Sequence, residues 1–104
     1  MLRTLIFAAL ALIGPAYAAD AGIPEICKAK AAAAASIMKE RQSGARMLDM
    51  IDRIHESDHA VRDRTQMVIA AFSAPEEKTT EGKERSVVRF ENQIYLECVN
   101  LWTP

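Results

Sequence analysis

The sequence predicts an all-α domain: a small antiparallel helical bundle of about four helices, with one disulfide between the first and last helices. Three observations carry this expectation. Apolar residues recur at spacings of three and four along most of the chain, and strand-like alternation is nowhere sustained. Turn signals, Ser43-Gly44, Ser57-Asp58 and Ala74-Pro75, separate the periodic segments. The two cysteines, Cys27 and Cys98, stand near opposite ends of the chain once its N-terminal leader is set aside.

The leader comes first. Met1-Leu2-Arg3 supplies a positive start, and residues 4–14 (TLIFAALALIG) form an apolar run too short to cross a bilayer comfortably. Pro15 breaks that run ahead of Ala16-Tyr17-Ala18, the small-x-small form that signal peptidase reads. The expectation is export: residues 1–18 a signal peptide cleaved after Ala18, residues 19–104 a single helical domain, periplasmic or secreted. No later apolar run is long enough to span, so a soluble mature chain is expected, with no membrane span after cleavage. Of the 13 Lys+Arg only Arg3 leaves with the leader, so 12 stand against 14 Asp+Glu. Both signs are interspersed, with no basic block and no acidic tail, which argues against nucleic acid and anionic lipid as partners.

The first helix is expected from about Pro24 to Gln42. Proline suits the first turn, where its missing N–H costs nothing. Cys27, Ala31, Ala34 and Met38 fall on one stripe, and Ala31 to Ala35 form a flat surface that another helix can approach closely. Ser43-Gly44 breaks or kinks this helix: glycine suits a C-terminal cap, and Ser43 suits a cap on the next segment. The second helix covers about Ala45 to His55, with Met47, Leu48, Ile51 and Ile54 as its apolar face. Ser57 or Asp58 caps a third helix that runs to Phe72, with Val61, Thr65, Val68, Ile69 and Phe72 as its stripe. PEEKTTEG, residues 75–82, reads as a polar loop. The last helix runs from about Lys83 to Asn100, with Val87, Val88, Ile94, Tyr95, Cys98 and Leu101 on one face and Phe90 at its edge.

An exported domain this small benefits from a staple, and with two cysteines the sole intramolecular pairing is Cys27–Cys98. It closes a loop of roughly 70 residues, worth about 4 kcal/mol in the chain-entropy model. In an up-and-down bundle the first and last helices are antiparallel, so facing residues have numbers summing to about 125. Ala34 then faces Glu91, and Arg41 falls near Glu84. Arg41 continues the buried stripe at the next spacing of three. An arginine there must snorkel or find a carboxylate or carbonyl, because an unpaired buried charge is costly. The expected role is structural, with Glu84 or Glu91 as partner and Gln42 beside it; the alternative is a recognition contact. Trp102, the sole tryptophan, either packs on the bundle or presents itself to a partner.

Residues 55–59 read HESDH, a literal H-E-x-x-H, the spacing that places two imidazoles on one helix face for zinc. Here the two intervening residues are a helix-start pair, which puts His55 and His59 at an interhelix corner. They are weak metal candidates only, and no cofactor is expected. Met38, Met47, Met50 and Met67 suit core filling better than soft-metal binding. No nucleophile elbow, phosphate loop or C-x-x-C pair is present in the sequence.

Three segments together form a pattern. Cys27, Met38, Arg41, Gln42 and Gly44 read C-x10-M-x-x-R-Q-x-G; Ala71, Phe72 and Pro75 read A-[FY]-x-x-P; Phe90, Asn92, Tyr95 and Cys98 read F-x-N-x-x-Y-x-x-C. In this order they resemble an uncharacterised family of small exported single-disulfide helical proteins of Gram-negative bacteria and their prophages. The resemblance covers nearly all of the chain after the leader. It implies a compact disulfide-closed helical domain and no reaction. The chain departs from the pattern in having Phe72 where tyrosine is commoner and no aromatic just after Pro75.

The functional expectation is therefore reached by exclusion: a non-catalytic protein-binding module with an inhibitor, immunity or accessory role, and not an enzyme. An acid-stress-type periplasmic chaperone is the alternative, since many carboxylates make the native charge sensitive to pH. An H-E-x-x-H zinc hydrolase ranks last.

Overall fold

The structure, a computed structural model, describes residues 25–57 and 60–102. The leader, its cleavage site, Pro24 and His59 lie outside the described residues. Four helices follow one another: α1 over residues 25–42, α2 over Met47–Ser57, α3 over Val61–Phe72 and α4 over Thr80–Trp102. The all-α expectation holds. Cys27 and Cys98 are joined, with Cα atoms 5.5 Å apart, and α1 packs closely on α4. At the other end of the pair the Lys83 ammonium reaches the Gln42 carbonyl, so α1 and α4 run antiparallel in the register expected from the disulfide.

One core unites all four helices. Ala34, Ile37 and Met38 from α1 meet Met50 from α2, Met67, Val68 and Ala71 from α3, and Phe90 from α4. Three methionines lie inside it, filling gaps among small alanines with unbranched chains. Cys27, Ala31, Ala34 and Met38 are buried as a stripe, as expected. The residue that extends the stripe is Gln42 rather than Arg41. With 100° per residue, a step of four from Met38 drifts 40° off the stripe and a step of three drifts 60°. Gln42 therefore points in, and Arg41 flanks it half-buried.

Several element boundaries and faces differ from the sequence reading. In α2 the buried residue is Met50, with Met47, Ile51 and Ile54 packed around it. Leu48 is 62% exposed, because the 47, 50, 51, 54 set already completes one helical face. Helix α3 starts at Val61, not at Ser57 or Asp58. Ser57 closes α2 instead, donating its hydroxyl to the Ile54 carbonyl. In α3, Ile69 is exposed while Met67, Val68 and Ala71 are buried. Helix α4 begins at Thr80, inside the stretch expected to be loop. Thr79 caps it, its Oγ1 accepting the Gly82 N–H at 3.0 Å. Phe90 is central rather than at the edge, because α4 buries residues four apart: Gly82, Ser86 and Phe90, then Cys98 two steps on. Val88 and Leu101 lie off that line and are exposed.

The turn between α1 and α2 is a Schellman motif. The Ala45 N–H reaches the Glu40 carbonyl and the Gly44 N–H the Arg41 carbonyl, both within 3.1 Å. Gly44 sits at φ 91°, where only glycine is free of Cβ strain. The next helix entry lacks that provision. Ala60, the N-cap of α3, adopts φ 49° and ψ 40° and offers no side-chain cap. Ala60→Gly is expected to relieve about 1 kcal/mol of left-handed strain, partly offset by the freer unfolded chain. The melting temperature should rise by a few degrees; a fall would contradict the left-handed geometry.

Thr65 is half-buried, and its Oγ1 has no hydrogen-bond partner among the described residues. Thr65→Val keeps the shape and removes the orphaned hydroxyl, so it is expected to stabilise by about 1 kcal/mol in chemical denaturation. Ion pairs tie the outer faces together. Lys30 meets Asp63 at 3.2 Å between α1 and α3, and Arg53 meets Glu40 between α2 and α1. Both are partly exposed, so each contributes at most about 1 kcal/mol and acts more on alignment than on stability. Just ahead of α2, the Arg46 guanidinium hydrogen-bonds Asp49 in its first turn and holds that carboxyl below the ordinary range. That small contribution is present at neutral pH and lost as the pH falls through the lowered value.

Candidate functional site

Polar side chains converge where α1 ends, the α3–α4 loop passes and α4 begins. Gln42 is the centre, only 2% exposed. Its Nε2 donates to the Pro75 carbonyl at 3.0 Å and to Ser86 Oγ at 3.2 Å, and contacts Met38 Sδ at 3.6 Å. Its Oε1 accepts the Glu77 N–H at 2.8 Å. One buried amide thus holds two backbone groups of the loop and a hydroxyl of α4. The Lys83 ammonium reaches across to the Gln42 carbonyl, placing a cation on the C-terminal end of α1 where the helix dipole favours it.

Arg41 braces the other side of the same loop. Its Nε and Nη2 donate to the Ala74 carbonyl at 3.3 and 3.1 Å. Its guanidinium carbon lies 4.7 Å from the centroid of the Phe72 ring, and Nη1 is 3.6 Å from Glu76. Glu76 also lies 3.8 Å from Lys83, so one carboxylate sits between two cations. Arg41 thus makes intramolecular contacts, and with partners other than those expected. Neither Glu84 nor Glu91 pairs with it, because the chain between α3 and α4 passes under the end of α1 and supplies a carbonyl, a ring and a carboxylate first. Arg41→Ala is expected to cost roughly 1–3 kcal/mol, read as a lower melting temperature, from the lost charge-assisted bonds and the cation–π contact.

This latch accounts for much of the sequence pattern. Met38, Arg41, Gln42 and Gly44 end α1; Ala71, Phe72 and Pro75 end α3 and open the loop; Phe90 packs in the core with Met38 and Ala71. Asn92 is exposed and Tyr95 half-buried, and neither takes part. The sequence reading missed Ser86, Lys83, Glu76 and the Phe72 ring. A glutamine two residues ahead of a cap glycine was the available signal, and it could not name partners more than thirty residues away.

Ser86 Oγ is buried and accepts a hydrogen bond from the Gln42 amide. The disulfide is buried on both sides and suits a structural bond rather than an exchange site. His55 is exposed in the last turn of α2, its Nδ1 3.0 Å from the Ile51 carbonyl. Of HESDH, His55, Glu56 and Ser57 form the last turn of α2, and Asp58 and His59 lie outside the described residues. Among the described residues no group of three or more His, Cys, Asp or Glu side chains could hold a metal. Among them, too, no helix is long and apolar enough to cross a membrane.

Glu84 and Glu91 line a groove beside the latch, between α1 and α4. Its volume is about 640 Å³. Ala35, Val87 and Val88 give it an apolar floor, with Val88 52% exposed. Lys39 and Lys83 line it along with the two glutamates, so both signs of charge border it. Of the alanine run of α1, Ala35 lines this groove. Trp102 is half exposed at the end of α4, next to the exposed Leu101, so it is presented rather than packed away. Comparison of the chain with protein-family models, with curated proteins and with solved structures finds no match.

Proposed function

We propose that the protein is an exported, non-catalytic protein-binding module that receives its partner in the groove between α1 and α4. The groove itself carries the reading: an apolar floor with an exposed valine, bordered by two lysines and two glutamates, on a latched and disulfide-closed frame. An amphipathic segment of another protein suits such a surface, apolar residues on the floor and charges against the border. Arg41 serves this function indirectly, by holding the loop beside the groove. An inhibitor, immunity or accessory role is compatible with a rigid docking face.

The test compares tagged wild type, Val88→Glu in the groove and Leu48→Glu on α2 in capture from envelope extract. One protein retained by wild type and Leu48→Glu but lost by Val88→Glu supports the reading. Equal retention by all three, or loss in both variants, removes the groove as the site.

A second reading, the acid-stress chaperone, draws on one observation. The ion pairs between separate elements, Lys30–Asp63, Arg53–Glu40 and Glu76 with Arg41 and Lys83, all depend on a carboxylate that acid would neutralise. Each is partly exposed and worth at most about 1 kcal/mol, so acid loosens the bundle only modestly. Retained near-ultraviolet dichroism at pH 3 would remove this reading.

A further inference from the structure

Helix α4 carries a second line of residues on the side away from the core. Its buried line is Gly82, Ser86, Phe90 and Cys98, with Ile94 packed against the core. Roughly 170° around the helix, at 100° per residue, run Arg85, Val88, Asn92, Tyr95, Val99 and Trp102. Val88 is 52% and Trp102 50% exposed. Arg85 and Asn92 are exposed, and Tyr95 and Val99 half-buried. None of the six belongs to the core cluster or to the latch. The shallow depression that holds Arg85, Val88 and Asn92 is lined, among the described residues, by α4 alone.

The spacing of this line has structural content. Its steps are three, four, three, four and three, the seam along which one helix packs lengthwise on another. The line is also complementary to itself. When a second copy of α4 lies antiparallel on it, facing residues have numbers summing to about 187. Val88 then meets the partner's Val99, apolar on apolar. Asn92 meets the partner's Tyr95, an amide against a phenol. Arg85 meets the partner's Trp102, a guanidinium on an indole, the favoured cation–π pair. All three layers are matched, and the two-fold axis repeats each of them. A parallel pair would instead set Arg85 against its own copy, two cations in opposition. We infer that the chain forms a two-fold dimer through antiparallel α4 helices, with Val88, Tyr95 and Val99 as the apolar seam, Asn92 fixing its register and Arg85 clasping the partner's Trp102. The dimer goes beyond the groove reading and does not rest on it; of its six residues only Val88 also lines the groove.

The experiment is sedimentation equilibrium of the intact, disulfide-bonded protein, with Trp102 fluorescence followed alongside. One helix pair makes a small interface, so a dimer is expected above roughly 10 µM, with the emission moving to the blue in step as the partner covers the indole. Trp102 is the sole tryptophan, so that signal reports the seam directly. Arg85→Glu and Asn92→Glu each alter an exposed side chain outside the groove lining. Each should weaken the dimer at least about tenfold without lowering the melting temperature of the dilute protein. Adding Trp102→Arg to Arg85→Glu should restore association, because an ion pair then replaces the cation–π contact. In a parallel pair the same double variant would oppose like charges and would not recover. A monomer at every concentration up to about 1 mM, a dimer indifferent to both single variants, or a double variant that stays monomeric would each overturn the assignment. These variants leave the groove lining intact, so capture of a partner there is read separately.

Discussion

Replacing Cys27 and Cys98 together by alanine is expected to remove about 4 kcal/mol of stability, the largest single effect available in this chain. The sequence separation of the bond is 71, and the entropy withheld from the unfolded chain grows with the loop closed. A domain of this size has only about 4–12 kcal/mol in total, at 0.05–0.15 kcal/mol per residue. The double variant should therefore sit near the edge of folding at 37 °C. Because the bond acts mainly on the unfolded chain, whatever fraction folds should keep the α1/α4 register, readable as protection of the Gln42–Ser86 end in hydrogen exchange. Both sulfurs are buried, so a reductant should act slowly on the native protein and quickly once urea opens it. A double variant that melts within a few degrees of wild type would show that the unfolded chain is already compact, and that the bond adds little.

The second large effect is expected at Gln42. Gln42→Leu preserves volume but strips partners from the Pro75 carbonyl, the Glu77 N–H and Ser86 Oγ. Ser86 is buried and must bear the full loss, whereas Pro75 is exposed and Glu77 half-buried, so water recovers part of theirs. The expected cost is roughly 2–4 kcal/mol, on the order of 10–25 °C in melting temperature. Hydrogen exchange should quicken first at Glu77, whose N–H is released. Gln42→Glu separates the two halves of the amide. It retains an acceptor for Glu77 but turns an oxygen toward the Pro75 carbonyl, so it should also destabilise while leaving Glu77 protected. If Gln42→Leu matches wild type in stability, the latch is not what holds the α3–α4 loop.

Local chemistry made much of the fold legible. The alanine run, the stripe from Cys27 to Met38 and the glycine at 44 each satisfy a rule that acts within a few residues, and each is where the sequence placed it. The cysteine pair needed only a count. Faces were harder. Leu48, Ile69, Val88 and Leu101 are as apolar as the residues that are buried, and spacing alone could not say which apolar residues a neighbouring helix would cover. Boundaries near Ser57 and Thr80 moved because good capping residues were present at more than one position.

The candidate site divides along the same line. That Arg41 needs partners within the fold is legible from the cost of burying an unpaired cation, a property of the residue itself. Its partners were misassigned to Glu84 and Glu91, because helix register locates only residues that lie on helices. The loop that supplies Ala74, Pro75, Glu76 and Glu77 has no periodicity to extrapolate.

The helical class, the glycine cap that ends α1 and the pairing of the two cysteines are thus written in the sequence, because periodicity, φ preference and a count act without knowledge of the rest of the chain. It took the tertiary structure to decide that Gln42 rather than Arg41 enters the core, that the α3–α4 loop is latched to α1, and that a groove opens between α1 and α4. Those features depend on groups more than thirty residues apart meeting within 3–4 Å, and no short-range rule encodes such distances.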